Sequence, residues 1–250
     1  MFRTRVAAAI AGAALIATGC AAPSTTTTSS GGSAPATTAA PTPTPTPTQT
    51  VEIPATTEEL VVKTQAAMKA ATSVTMAGAF TSDGQANTVE AKGMLDGSLY
   101  QVKLGQDGAT IDLIFAESQL FLKADESFWA ESGADQAGAE YAGKWVQLND
   151  ELSAQLKDMT PGFLLGSMSD NFTADKLGPK VTRGSVGGQD VFIVISSKGA
   201  ASGQFSIAAD GTWLPVRYET TSKDSPGSMT FSEWNMAPAV KAPLDAIEMK

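Results

Sequence analysis

The chain is 250 residues long, with 17 Lys and Arg against 26 Asp and Glu and a formal charge of −9 at pH 7. An acidic chain of this kind gains nothing from neutralising phosphates, which excludes nucleic acid as a partner, and it lacks a polybasic face to lie flat on anionic lipid. With no histidine and one cysteine, Cys20, it has no Ser-His-Asp arrangement, no His/Cys zinc site and no internal disulfide.

Arg3 and Arg5 precede an apolar or small run from Val6 to Ala17, followed by Thr18, Gly19 and Cys20. Charged n-region, short h-region and small-residue processing site are the grammar of an export signal. The run is too short to span a bilayer, which takes roughly 20 residues. Ala17-Thr18-Gly19-Cys20 resembles a bacterial lipobox, with Ala17 where Leu is more usual. The expectation is a lipoprotein signal peptide over 1–19 and an acylated Cys20, anchoring the protein to the outer face of the cytoplasmic membrane. Residues 20–52 follow as a Thr/Pro/Ser-rich linker. Its Pro41-Thr42-Pro43-Thr44-Pro45-Thr46-Pro47-Thr48 run favours polyproline II and cannot build a core. Its Thr and Ser make it a candidate for O-glycosylation.

A single α+β domain is expected over 53–250. Thr56 with Glu59 forms a capping box, and Leu60, Thr64, Ala67, Met68 and Ala71 recur at helical spacing up to Thr72. Alternating strands follow over 74–81, 88–95, 99–104, 110–116 and 119–124, separated by Asp83-Gly84, Asp96-Gly97, Asp107-Gly108 and Glu117-Ser118. Asp-Gly between alternating runs signals hairpins, and turns at this spacing predict an antiparallel meander rather than βαβ units. Residues 125–168 break the period: a short helix after Phe128-Trp129, a short strand with Trp145, a helix capped by Asn149 or Asp150, and the apolar island 161–168. That island reads either as a segment folded onto the core or as a mobile lid. Strands resume over 180–186, 189–196, 204–209, 213–221 and 228–234. Val191-Phe192-Ile193-Val194-Ile195, apolar on both faces, predicts the most deeply buried strand. A Pro-punctuated tail closes the chain.

No motif supports catalysis. Asp83, Asp107 and Asp210 sit beside Gly as turn residues, and Glu58-Glu59, Asp125-Glu126 and Asp150-Glu151 are neighbours that point apart. Gly187-Gly188 lacks the following helix a phosphate loop needs. No metal or cofactor is expected, and the chain reads as a non-enzyme. What remains is apolar surface. A curved sheet with helices on its concave side can leave a cavity, and Leu60, Met68, Met76, Phe80, Leu104, Ile114, Leu120, Leu122, Phe163, Leu164, Phe205 and Ile207 are candidates to line it. Methionine suits adaptable apolar pockets.

The layout of lipobox, Thr/Pro spacer, amphipathic helix and β meander resembles actinobacterial lipoproteins of the LppX/LprG type. Gln119-Leu120-Phe121-Leu122, Gly143-Lys144-Trp145-Val146 and Phe231-Ser232-Glu233-Trp234 before Pro238 are further points of likeness. The resemblance implies a LolA-like unclosed antiparallel half-barrel over helices, and a monomer that binds or carries a lipid or glycolipid by its acyl chains. The acidic Ala/Gly-rich insertion 127–143 departs from that pattern. The rival reading is a non-catalytic envelope sensor or adaptor with a filled core. It would dock an envelope protein on an exposed patch including Trp129, Tyr141 or Trp145.

Overall fold

The computed structural model describes residues 51–82, 84–131, 138–156, 158–223 and 225–249. The expected signal peptide, Cys20 and most of the linker therefore lie outside the described residues, as does Asp83. Helix α1 (Thr57–Ala70) opens the domain. The Thr56 hydroxyl accepts from the Glu59 amide at 3.1 Å, while the Glu59 carboxylate reaches back to the amide of Ala55 at 2.9 Å. Both ends of the capping box are thus used, with the Glu reaching one residue further back than the usual pattern. Leu60, Val61, Thr64 and Met68 form the buried stripe.

The strands are β1 (Ser73–Ser82), β2 (Gln85–Met94), β3 (Tyr100–Gln106), β4 (Ala109–Ala116), β5 (Gln119–Ala124) and β6 (Val146–Gln147), then β7 (Leu177–Val186), β8 (Gln189–Ser196), β9 (Gln204–Ala208), β10 (Pro215–Thr220), β11 (Gly227–Ser232) and β12 (Ile247–Glu248). They form one sheet in the order β12-β6-β5-β4-β3-β2-β1-β11-β10-β9-β8-β7. Two meanders meet where β1 pairs β11, with Met76 opposite Phe231. The sheet is curved and does not close into a barrel: its edges are β12 and β7. The α+β half-barrel expected from sequence is the observed architecture. The hairpin turns are where Asp-Gly places them; at Asp107-Gly108 both residues have positive φ (48° and 91°), the primed geometry that matches strand twist.

Register builds a continuous apolar row across the concave face: Val181, Val194, Phe205, Tyr218, Met229, Gly78, Val89, Leu104, Ile111 and Ala124 stand opposite one another in turn. On the convex face Glu90, Lys103, Asp112 and Lys123 oppose one another with alternating sign, a ladder of favourable cross-strand pairs in solvent.

Helices α2 (Glu126–Glu131), α3 (Gly138–Tyr141), α4 (Asp150–Leu156) and α5 (Pro161–Ser169) lie between β5 and β7 in the chain. Phe128, Trp129 and Tyr141 join the main core, with Trp129 fully buried and edge-on to both neighbours. This corrects the docking patch expected there, because the insertion folds its aromatics inward. Trp145 packs against the tail. Three further expectations are corrected. The island 161–168 is a helix: Thr160 caps it by accepting from the Phe163 amide at 3.0 Å, and Pro161 starts it. Strand β8 is not enclosed throughout: Phe192 and Val194 are buried on the concave face, but on the convex face burial fades from Val191, fully enclosed, through Ile193 to Ile195, 37% exposed. The tail adds a strand, β12, which pairs parallel to β6.

Candidate functional site

The residues expected to line one cavity are distributed among packed clusters. Met68, Met76, Phe80, Leu120, Leu122 and Leu164 are buried in the main core, with Leu104 packed against it. Leu60, Phe205 and Ile207 belong to a second core under α1. Ile114 lies on the convex face with Phe121 and Val240. The parity of β4 explains this: Ile111, Leu113 and Phe115 point inward, so Ile114 must point outward, where the tail covers it. Phe163 is the exception to burial, 54% exposed.

That exposed ring borders a cleft of about 600 Å³, lined by Asp96, Gly97, Tyr100, Phe115, Asp158, Thr160 and Phe163. Its walls come from the tip of the β2–β3 hairpin, the inner face of β3 and β4, and the start of α5. Tyr100 and Phe115 stack at 5.7 Å between ring centroids. Tyr100 belongs to the main core, so the cleft leads directly to the packed concave face. The hairpin tip and α5 touch backbone to backbone. A Cβ on Gly162 would lie 2.2 Å from the Leu95 carbonyl oxygen, and one on Gly97 would lie 3.1 Å from Cγ2 of Thr160. Helix α5 also joins the two cores: Leu164 and Leu165 are in the first, and Met168 packs against both.

The electrostatics of the cleft are acidic. The Ser98 hydroxyl and amide both donate to Asp96 at 2.7 and 2.9 Å, which holds its carboxyl below the usual range and keeps it ionised. Burial, with a contribution from the Asp158 charge, pushes the Tyr100 phenol up to about 12. Burial also raises Tyr218, whose ring tilts against Phe205 in the second core. The folded state therefore favours the protonated phenols more than the unfolded chain does. Their contribution to stability is complete below the ordinary tyrosine pKa near 10 and is lost as pH rises from there toward 12. Urea unfolding across pH 8 to 11.5 should show a flat stability to about pH 9.5 and a decline above it. A stability that rises through that window would contradict this.

Six of the seven lining residues were not singled out in the sequence. Asp96 and Gly97 read as a turn and Tyr100 and Phe115 as strand residues, while Asp158 and Thr160 had no role. Their common signal was the Thr-Pro helix start facing a hairpin tip, which only the tertiary contact reveals. Among the described residues, no group of three or more Cys, Asp or Glu is placed to hold a metal ion, and no helix is long and apolar enough to cross a membrane.

Neither a family model nor a curated protein sequence matches the chain. Solved structures do. The lipoprotein LppX of Mycobacterium tuberculosis aligns at 14% identity over 74% of this chain and 98% of that one, with a TM-score of 0.44. LprF of Mycobacterium bovis aligns at 11% identity over 75% and 96%, also with a TM-score of 0.44. An uncharacterised conserved protein from Thermus thermophilus aligns at 10% over 76% and 98%, with a TM-score of 0.34.

Proposed function

We propose that this protein is a non-catalytic cell-envelope lipoprotein, anchored by acylated Cys20, that carries an acyl-chain lipid or glycolipid between α5 and the concave sheet. One observation carries the reading. Helix α5 has no charged residue from Pro161 to Ser169, yet it is not enclosed: Leu164 and Leu165 are buried while Phe163 stands open at the cleft. A large aromatic left open beside two buried leucines, on a helix without a charged residue, is apolar surface for a ligand to cover. An acyl chain entering at the cleft would cover Phe163 and take the place of the α5 side chains against the sheet.

The energetics suit exchange. A chain leaving a bilayer gains little from entering another apolar environment, so a carrier needs a groove that opens cheaply. Burial of Leu164 and Leu165 contributes about 1.5–3 kcal/mol each, against about 0.8 kcal/mol for every methylene that stays covered in the groove. Relative to a chain in water a dozen methylenes outweigh the two leucines, which holds the ligand between membranes; relative to a bilayer they gain little, so the leucines set the cost of opening and the ligand can leave again. The test is native mass spectrometry of the full-length protein purified from its own membranes in mild detergent, beyond the mass of its anchor. Co-purified lipid is expected, and its removal should lower thermal stability. Identical mass and stability before and after delipidation would defeat the proposal.

The filled core of the concave face favours the rival adaptor reading, in which nothing enters and a partner protein docks outside. Cross-linking in membranes separates the two: a specific protein adduct without bound lipid supports the adaptor.

A further inference from the structure

Resting on the carrier reading, the cleft chemistry allows the ligand's headgroup to be specified. We infer that the cleft selects an amphiphile with a cationic headgroup, an amine or quaternary ammonium, seated between Asp96, Asp158 and the ring of Phe163.

Three features converge. Among the described residues that line the cleft, the two carboxylates, Asp96 and Asp158, are exposed and no side chain is basic. Asp96 is kept charged by the two Ser98 donors, which occupy one of its oxygens and leave the other for a ligand. The N-terminus of α5, the feature among the described lining residues that could attract an anion, is already committed. Pro161 has no amide hydrogen, the Phe163 amide donates to the Thr160 hydroxyl at 3.0 Å, and the Leu164 amide donates to the Thr160 carbonyl at 3.1 Å. A phosphate or carboxylate arriving there would meet two negative charges and few free donors. A cation meets the opposite: two carboxylates and an exposed aromatic ring, whose face attracts positive charge. Tyr100 and Phe115 supply the apolar floor where the headgroup gives way to its chain.

The experiment measures transfer of fluorescent dioleoyl lipids from phosphatidylcholine donor vesicles to acceptor vesicles carrying the full-length protein. Three headgroups are compared on identical chains: trimethylammonium-propane, plain glycerol and phosphoglycerol. The cationic lipid should move about fivefold or more faster than the anionic one, the scale set by exposed charge pairs. In D96N/D158N that ratio should fall toward one. The convex-face variant E90Q/D112N, with the same change in charge, should keep it. Transfer of the glycerol lipid reports whether each variant is folded and competent, and the single D96N and D158N variants, each lowering the ratio part-way, serve if the double variant is not. A cationic preference that is absent, or that survives in D96N/D158N, overturns the headgroup assignment while leaving the carrier intact. If no lipid moves with the unaltered protein, the carrier reading fails and this inference with it.

Discussion

Phe192→Ala is expected to destabilise the domain by about 3–5 kcal/mol, the range for deleting a large aromatic from a packed core. Phe192 is fully enclosed in the core under α1, opposite Ile207 in the register. Trp213 stacks on it with ring centroids 5.3 Å apart and 15° between planes, and the Arg183 guanidinium lies 5.2 Å from its ring centre. The site cannot collapse easily, because the strands on both sides fix its walls. Chemical denaturation should read a loss near the upper end of that range, with an unchanged dependence on denaturant. A loss below about 1 kcal/mol would mean that this half of the sheet carries little of the stability.

Gly162→Val should loosen α5 while sparing the sheet. The added Cβ would meet the Leu95 carbonyl oxygen at 2.2 Å, and that oxygen belongs to backbone that cannot swing aside. Overpacking of this kind costs about 1–3 kcal/mol. Hydrogen exchange should show the amides of 163–168 losing protection by about tenfold or more while β1 and β2 keep theirs. A second glycine on the same helix supplies the contrast. Gly166 has open space where a Cβ would go, so Gly166→Ala should stabilise by up to about 1 kcal/mol through helix propensity. Equal effects at both glycines would show that α5 is not seated on the hairpin as described.

These two glycines illustrate what the sequence made legible. Local signals were read well: the Thr56–Glu59 cap, the Asp-Gly turns and the alternation of β1, β3 and β5 all depend on neighbours in the chain. Two of the same local signals, Thr160 and Pro161, mark the start of α5, but the run after them masks helical periodicity because Gly162 and Gly166 interrupt it and no charged residue marks an outer face. Ile114 was misplaced although it shares a face of β4 with Thr110 and Asp112, because the tail that buries it on the convex side is distant in the chain. The burial of Trp129 and Tyr141 likewise depends on the insertion folding over the core edge. The cleft was hidden for a different reason. Asp96 and Thr160 are 64 positions apart and meet only because the β2–β3 hairpin leans on α5. Nothing in either segment alone points to the other.

The acidic mouth and the apolar helix together make α5 the moving part of the account, and it can be locked. The Cβ position of Gly97 lies 3.9 Å from Cβ of Thr160, close to the mean separation of about 3.8 Å in disulfides. The positive φ of Gly97, 77°, makes a cysteine there somewhat strained, so the variant should be compared with itself in oxidised and reduced form. The decisive measurement is lipid transfer between vesicles by full-length G97C/T160C under both conditions. The account predicts that oxidation abolishes transfer and that reduction restores it. Equal transfer by the oxidised and reduced protein would contradict a ligand path between α5 and the sheet.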